Sequence, residues 1–301
     1  MSGESGLFNA EIIGQYSKTV SEIRALRLKK NIIERGRFII EGKKAVYETL
    51  CDKDFLPEVR YVVLSDKIDF SYIKKISFIN SNKYVKIYRI STELFNKISG
   101  DENPEGALCV ASIPARRTAE LIGDSQKRLF IILDSINDPG NLGTIMRLAD
   151  NFGVSAIICG QNSVYEYMPK VIKASMGSFK NITAARMTPE IYKALLSEAA
   201  KENSIVVCAD NKAQTALPAA ADKIRTGRFK KLFLIGGCES HGVISGDIKD
   251  ICAAAKNFIN SSIPNYGRNE SLNLSVAMGI FCYEAAGAFY SDGPRKKNEE
   301  N

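Results

Sequence analysis

The chain has one histidine, no C-x-x-C pair and neither a G-x-G-x-x-G nor a G-x-x-x-x-G-K-[ST] run, and each absence removes a class of chemistry. Cys238 and His241 form a C-x-x-H, but nothing completes four zinc ligands, so no metal is expected. A Cys238–His241 nucleophile pair is equally poor, because both side chains sit in one tight loop without a third orienting group. Lacking the glycine fingerprints, dinucleotide-dependent and nucleotide-hydrolysing readings lose their phosphate cradle. No run of 18 uncharged apolar residues occurs, and MSGESGLFNA lacks a basic region followed by an apolar core, so neither membrane spanning nor secretion is expected. Cysteines number seven, an odd count, and Cys109, Cys159, Cys208 and Cys282 lie in apolar runs. They read as small core hydrophobes of a cytoplasmic protein.

What is present is a chain of 301 residues, 45% hydrophobic and 25% charged, enough for one large or two medium α/β domains with a cooperative core. The formal charge of +7 is concentrated: residues 18–44 hold nine bases and three acids, a local +6, and the remainder sums to nearly neutral. That stretch, with Arg27, Lys29, Lys30, Arg35 and Arg37 at its centre, is a candidate contact for a polyanion. A solvated helix face is the other reading.

Patterning predicts a helix over 20–28, strands at 37–41, 60–64 and 107–111, and helices at 43–50 and 92–98, together a small α/β domain over 1–112. Residues 113–127, punctuated by Pro114 and Gly123, read as a linker. Apolar strands at 129–133, 155–159, 205–208 and 232–235 alternate with helical stretches, which predicts a parallel sheet covered on both faces within 128–290. A short strand at 258–263, a helix over 271–288 and a loose tail at 291–301 complete the reading.

Parallel sheets place ligands beyond the carboxyl ends of their strands, so the loops there carry the chemistry. The first, D134-SINDPG-N141-LG, leads into a helix bearing Arg147, six residues after Asn141. A guanidinium in that apolar stretch fits a bound phosphate; snorkelling, or pairing with Asp134 or Asp150, is equally open. The second, GGCESHG over 236–242, pairs glycines that admit close backbone approach with the carboxylate of Glu239, and is also an ordinary turn. In the third, IPNYGRNESLNLSVA over 263–277, polar residues crowd a helix start, where Ser271 is a candidate N-cap and Asn273 and Ser275 need partners if buried.

Taken in order, N141-LGTIM-R147, G237-CESH-G242 and IPNYGRNE-S271-L-N273-LSVA resemble the SpoU/TrmH family of RNA ribose 2'-O-methyltransferases in the SPOUT class, over residues 129–288. R35-GRFIIEG and N103-PEG resemble the small substrate-binding domain found ahead of the catalytic domain in many members. The resemblance implies a knotted C-terminal methyltransferase domain that binds S-adenosylmethionine, a homodimer, and RNA as substrate. Ribosomal 23S RNA is favoured; a transfer-RNA enzyme and a nonenzymatic ribosome-assembly protein stay as alternatives. It implies Arg147 as the catalytic arginine, with Asn141, Glu239, Ser271 and Asn273 arranging the site, and Gly237, Ile263 and Leu272 in the cofactor loops. Two departures are Ser240, where the family usually has Gly, and Glu105, where it often has Gln.

Overall fold

The computed structural model describes residues 10–79, 85–115, 117–237, 242–243, 245–268 and 271–291. It divides into two compact units: residues 1–115 with 167–180, and residues 116–166 with 181–301.

In the first unit the elements are β1 (Glu11–Ile12), α1 (Lys18–Ala25), α2 (Lys29–Arg35), β2 (Arg37–Glu41), α3 (Lys43–Cys51), β3 (Val59–Ser65), α4 (Phe70–Ile79), β4 (Lys86–Ile90), α5 (Thr92–Ile98) and β5 (Ala107–Ser112). The strands form a mixed sheet in the order β1-β4-β3-β5-β2 among the described residues. The helix predicted over 20–28 is α1, which is capped by Ser17 and ends at Ala25; a second helix, α2, follows and ends on Gly36 at φ 60°, where glycine bears the left-handed turn without strain.

The predicted linker is not one throughout. Thr118–Gly123 is a helix, α6, with Thr118 and Ile122 buried. It belongs to the second unit, with β6 (Arg128–Leu133), α7 (Pro139–Asn151) and β7 (Ala156–Cys159). The chain then enters the first unit, where Tyr167 and Phe179 flank α8 (Pro169–Ala174) and pack their rings on Phe38, centroids 5.0 and 5.7 Å away. It returns through β8 (Thr183–Arg186), α9 (Pro189–Ala199), β9 (Ser204–Ala209), β10 (Thr215–Ala216), α10 (Leu217–Thr226), β11 (Lys231–Gly236), α11 (Gly246–Ala254), β12 (Phe258–Ser262) and α12 (Leu274–Phe289).

Among the described residues these strands form a seven-stranded sheet in the order β10-β12-β9-β11-β6-β7-β8, every pair parallel. Alternate residues explain its two faces. Phe130, Ile132, Ile158, Val206, Phe233 and Ile235 point to a core shared with α6, α9 and α11. α7, α10 and α12 pack together, with α12 on β11. Residues at 291 and beyond in the predicted tail lie outside the described residues, save Ser291. No described helix is long and apolar enough to cross a membrane.

Candidate active site

The order of the sheet sets the location. β6 leads to β7 on one side, whereas β11, its other neighbour, leads past β9 to β12. The loops leaving β6 and β11 therefore diverge and open a crevice at their carboxyl ends. Register brings the ends level: Gly236 pairs with Leu133 and with Ala209, and Ala209 pairs with Ser261.

The first loop is pinned from several sides. Asp134, fully buried, accepts hydrogen bonds from Ser135 Oγ (2.9 Å), from the Ser245 backbone N–H (2.8 Å) and from Ser245 Oγ. Ser245 is the N-cap of α11, and its own side chain caps nothing, so the carboxylate sits at that helix's amino end, where the helix dipole favours its charge. Ser135 follows at φ 56°, a strained left-handed turn for a side-chain-bearing residue. Ser163 Oγ accepts from the Ile136 N–H (3.1 Å), and Arg186 holds the 160–166 loop through Ser163 O (3.0 Å), Val164 O (2.8 Å) and the Glu166 carboxylate (2.7 Å). Sequence reading missed Asp134 as a clamp and Arg186 altogether; the signal available was a charged residue ending an apolar strand.

Asp138 then caps α7, accepting from the Asn141 N–H at 2.7 Å, with Pro139 as the first helical residue. Arg147 is exposed; its carbonyl accepts from Asn151 Nδ2 at 3.0 Å, and its guanidinium makes no hydrogen bond or ion pair among the described residues. Asp150 engages Asn181, and Asp134 is held as above, so both proposed intramolecular partners are occupied elsewhere. Six residues of α-helix place Asn141 and Arg147 about 120° apart around the axis, so they do not share one face.

Asn273 joins the third segment to the first: its Nδ2 donates to Asn141 Oδ1 at 3.0 Å. Its own Oδ1 accepts from Ser275 N–H (3.0 Å), Ser275 Oγ (2.7 Å) and Val276 N–H (3.4 Å). The N-cap of α12 is therefore Asn273 and not Ser271, and the helix begins three residues later than the pattern predicts. Ser271 is exposed, as is Leu272, while Ile263 is half-buried. Asn260 Oδ1 and Ser261 Oγ, just before Ile263, are buried without hydrogen-bond partners among the described residues.

In the second loop, a Cβ on Gly237 would lie 2.2 Å from the carbonyl carbon of Gly242, so only glycine lets the chain close on itself there. Glu239, with Cys238, Ser240 and His241, lies outside the described residues. The buried thiols have no nucleophilic character: burial pushes Cys109 and Cys282 up to about 12 and raises Cys159 as well.

The basic stretch of the first unit separates into two groups. Arg27 donates to Glu41 (2.9 Å) and to the Ile98 carbonyl (2.7 Å), and Arg37 pairs with Glu22 at 2.8 Å. Both guanidiniums are thus engaged within the fold. Lys29, Lys30 and Arg35 are exposed. Glu105 accepts from the Lys43 N–H at 2.6 Å, which binds the N103-PEG turn to the start of α3.

Residues 128–283 match the profile of the SpoU rRNA Methylase family, and residues 17–109 match an MRM3-like substrate binding domain. The chain is 26% identical over 274 residues to the 23S rRNA (guanosine(2553)-2'-O)-methyltransferase RlmP of Bacillus subtilis, spanning 90% of this chain and 97% of that protein. A crystal structure of an rRNA methyltransferase from Sinorhizobium meliloti has the same fold, with TM-score 0.72 at 22% identity, covering 92% of this chain and 98% of that one. So does the SpoU methyltransferase AviRb of Streptomyces viridochromogenes in complex with the cofactor AdoMet, with TM-score 0.71 at 20% identity, covering 91% and 100%.

Proposed function

The chain belongs to the SpoU rRNA Methylase family, and on that premise we propose that it transfers the methyl group of S-adenosylmethionine to a ribose 2'-hydroxyl of RNA, with 23S ribosomal RNA as substrate. The observation that carries the reading is the Asn273–Asn141 hydrogen bond at the carboxyl edge of the parallel sheet, which ties two of the three motif segments into one site. The full-length likeness to RlmP supports the choice of ribosomal RNA. Ribose chemistry excludes DNA, which lacks the hydroxyl.

Residues at this edge suit the cofactor. Ile263 and Leu272 offer apolar surface, and Asn260 Oδ1, an acceptor, and Ser261 Oγ, a donor and acceptor, are buried without partners among the described residues. Gly237, Ile263 and Leu272 would hold the cofactor, which when bound supplies an electrophilic methyl group on a sulfonium.

The chain's own task is to present the ribose oxygen to that group and to remove its proton. Arg147 carries an exposed guanidinium, unpaired among the described residues, that would hold the phosphate beside the target ribose and fix the direction of attack. An arginine side chain stays protonated at neutral pH, so it does not serve as the base. Instead the 2'-hydroxyl proton passes to a substrate phosphate oxygen while Arg147 stabilises the developing alkoxide. Asn273 and Asn141 hold the two loop ends in register, and Ser271 and Glu239 would support them.

A dimer would finish the site. An apolar groove of about 440 Å³ runs between α7 and α12, lined by Leu148, Phe152, Val276, Gly279, Ile280 and Tyr283, and Val276 and Tyr283 are 51% and 65% exposed. A second copy in the cytoplasm would cover it, with the knot of the SPOUT class holding the loops beneath.

Incubation with labelled S-adenosylmethionine and separated ribosomal and transfer RNAs, followed by mapping of the modified ribose, tests the reading. Label in a 2'-O-methyl of large-subunit RNA is the expected result. Label in transfer RNA alone reassigns the substrate, and absence of label from every RNA overturns the activity.

A further inference from the structure

Outside residues 18–44 the sequence charges nearly cancel, yet they are not evenly spread. Residues 223–231 read KIRTGRFKK, five bases and no acid in nine positions. They span the end of α10 and the entry to β11, at the amino edge of the parallel sheet. That edge lies opposite the candidate active site, a six-residue strand away, about 20 Å.

Two of the five bases are used internally. Lys231 is buried against Asp124 at 2.7 Å, and Arg225 pairs with Asp222 at 2.5 Å. Lys223, Arg228 and Lys230 are exposed and have no ion pair or hydrogen bond from their side chains among the described residues. Lys223 lies in the last turn of α10, where the helix dipole accounts for a base, but Arg228 and Lys230 lie beyond any helix and receive no such support. Adjacent on the same edge, Phe258 at the start of β12 is 44% exposed. β12 is separated from β11 only by β9, about 10 Å away in strand spacings. Uncommitted bases with an exposed aromatic ring are the elements of a nucleic-acid backbone contact.

We propose that Lys223, Arg228 and Lys230 form a second RNA-backbone contact on the methyltransferase unit, on the edge of the sheet away from the reacting ribose. It rests on RNA being the substrate and deepens that reading. An RNA that fills the site and also reaches this edge extends at least about 20 Å beyond the target nucleotide. The substrate is therefore recognised as an extended structured RNA, through phosphates far from the modified position.

The test is filter binding of a large-subunit ribosomal RNA transcript to the full chain over about 50–300 mM salt, comparing wild type with Lys223→Gln/Arg228→Gln/Lys230→Gln. Lys249→Gln, on the exposed side of α11, serves as control. Each lost phosphate contact lowers the slope of log Kd against log salt by about 0.7–0.9. The triple variant should lose about 2–3 from that slope and bind at least about tenfold more weakly at low salt. Its melting temperature, affinity for S-adenosylhomocysteine and turnover at saturating RNA should match wild type, with KM for RNA raised. Arg228→Gln alone should lower the slope by about 1. Wild-type slopes in both variants overturn the proposal, as does loss of binding to an acidic polypeptide with RNA binding intact. Failure of wild type to methylate any RNA counts against the activity, while the binding slopes still decide this surface.

Discussion

The role of Arg147 follows from what its guanidinium leaves untouched among the described residues. A guanidinium without an internal partner, on a helix whose first turn is pinned by Asp138 and Asn141, is free to take a phosphate. Arg147→Ala should therefore lower turnover by about a hundredfold or more, the scale for removing one preorganised charge donor, and leave S-adenosylhomocysteine affinity within about twofold. Calorimetry with a single-turnover assay separates the two; near-normal turnover removes the assignment. Asp134 predicts the opposite split. As the buried clamp between β6 and the start of α11, it shapes the cofactor loops. Asp134→Asn should weaken cofactor binding about tenfold and speed hydrogen exchange at the amino end of α11, and Ser245→Ala added to it should cost little more, because both act on one contact. Arg147 and Asn141 stood out as candidates by residue type and by the resemblance of their motif, while spacing left snorkelling or internal pairing of Arg147 equally open. Asp134 did not stand out, since its meaning depends on Ser245, 111 residues away.

Elements with strong local signals match their sequence pattern closely. α5 runs Thr92–Ile98 as predicted because Ser91 caps it, and β2 is Arg37–Glu41 because its apolar centre is bounded by charge. Elements whose order comes from tertiary contact were not legible. α6 has only Thr118 and Ile122 buried, too few to show a period, and α8 has six residues. α8 and its flanks also break the expectation of two sequence-continuous domains. Tyr167 and Phe179 close an aromatic cluster with Phe38 and Phe55, and Lys180 pairs with Asp52 at 3.1 Å. A fragment ending at residue 115 would leave those faces bare. Such a fragment should be unfolded or molten by near-ultraviolet circular dichroism, and in the full chain Phe179→Ala should cost about 3–5 kcal/mol, seen as an early transition on melting. A cooperative, well-packed fragment would show that 167–180 is a passenger.

At the scale of the molecule, composition set the fold class correctly, because long apolar strands between helices have few other packings. Charge was harder to read, since a sum over sequence hides what the fold separates. The same holds for apolar surface. α12 is apolar over nearly its whole length, which pattern alone reads as a core helix, yet one side of it is open: Val276 and Tyr283 are exposed beside Gly279, where a Cβ would meet Leu148 at 3.2 Å. That close approach holds α12 to α7 and leaves the groove as one continuous surface. Fully burying a large apolar side chain contributes about 1.5–3 kcal/mol, and Val276 and Tyr283 are already partly covered, so each adds about 1–2 kcal/mol, and covering both on two symmetric copies supplies enough to matter against the cost of association. Val276→Asp/Tyr283→Asp should then convert a dimer into a monomer by light scattering at micromolar concentration. Methyl transfer should fall with it, because the groove borders Ser275 and the Asn273 cap. A wild-type chain that is monomeric, or a monomeric variant with full activity, would show that the site is complete within one copy.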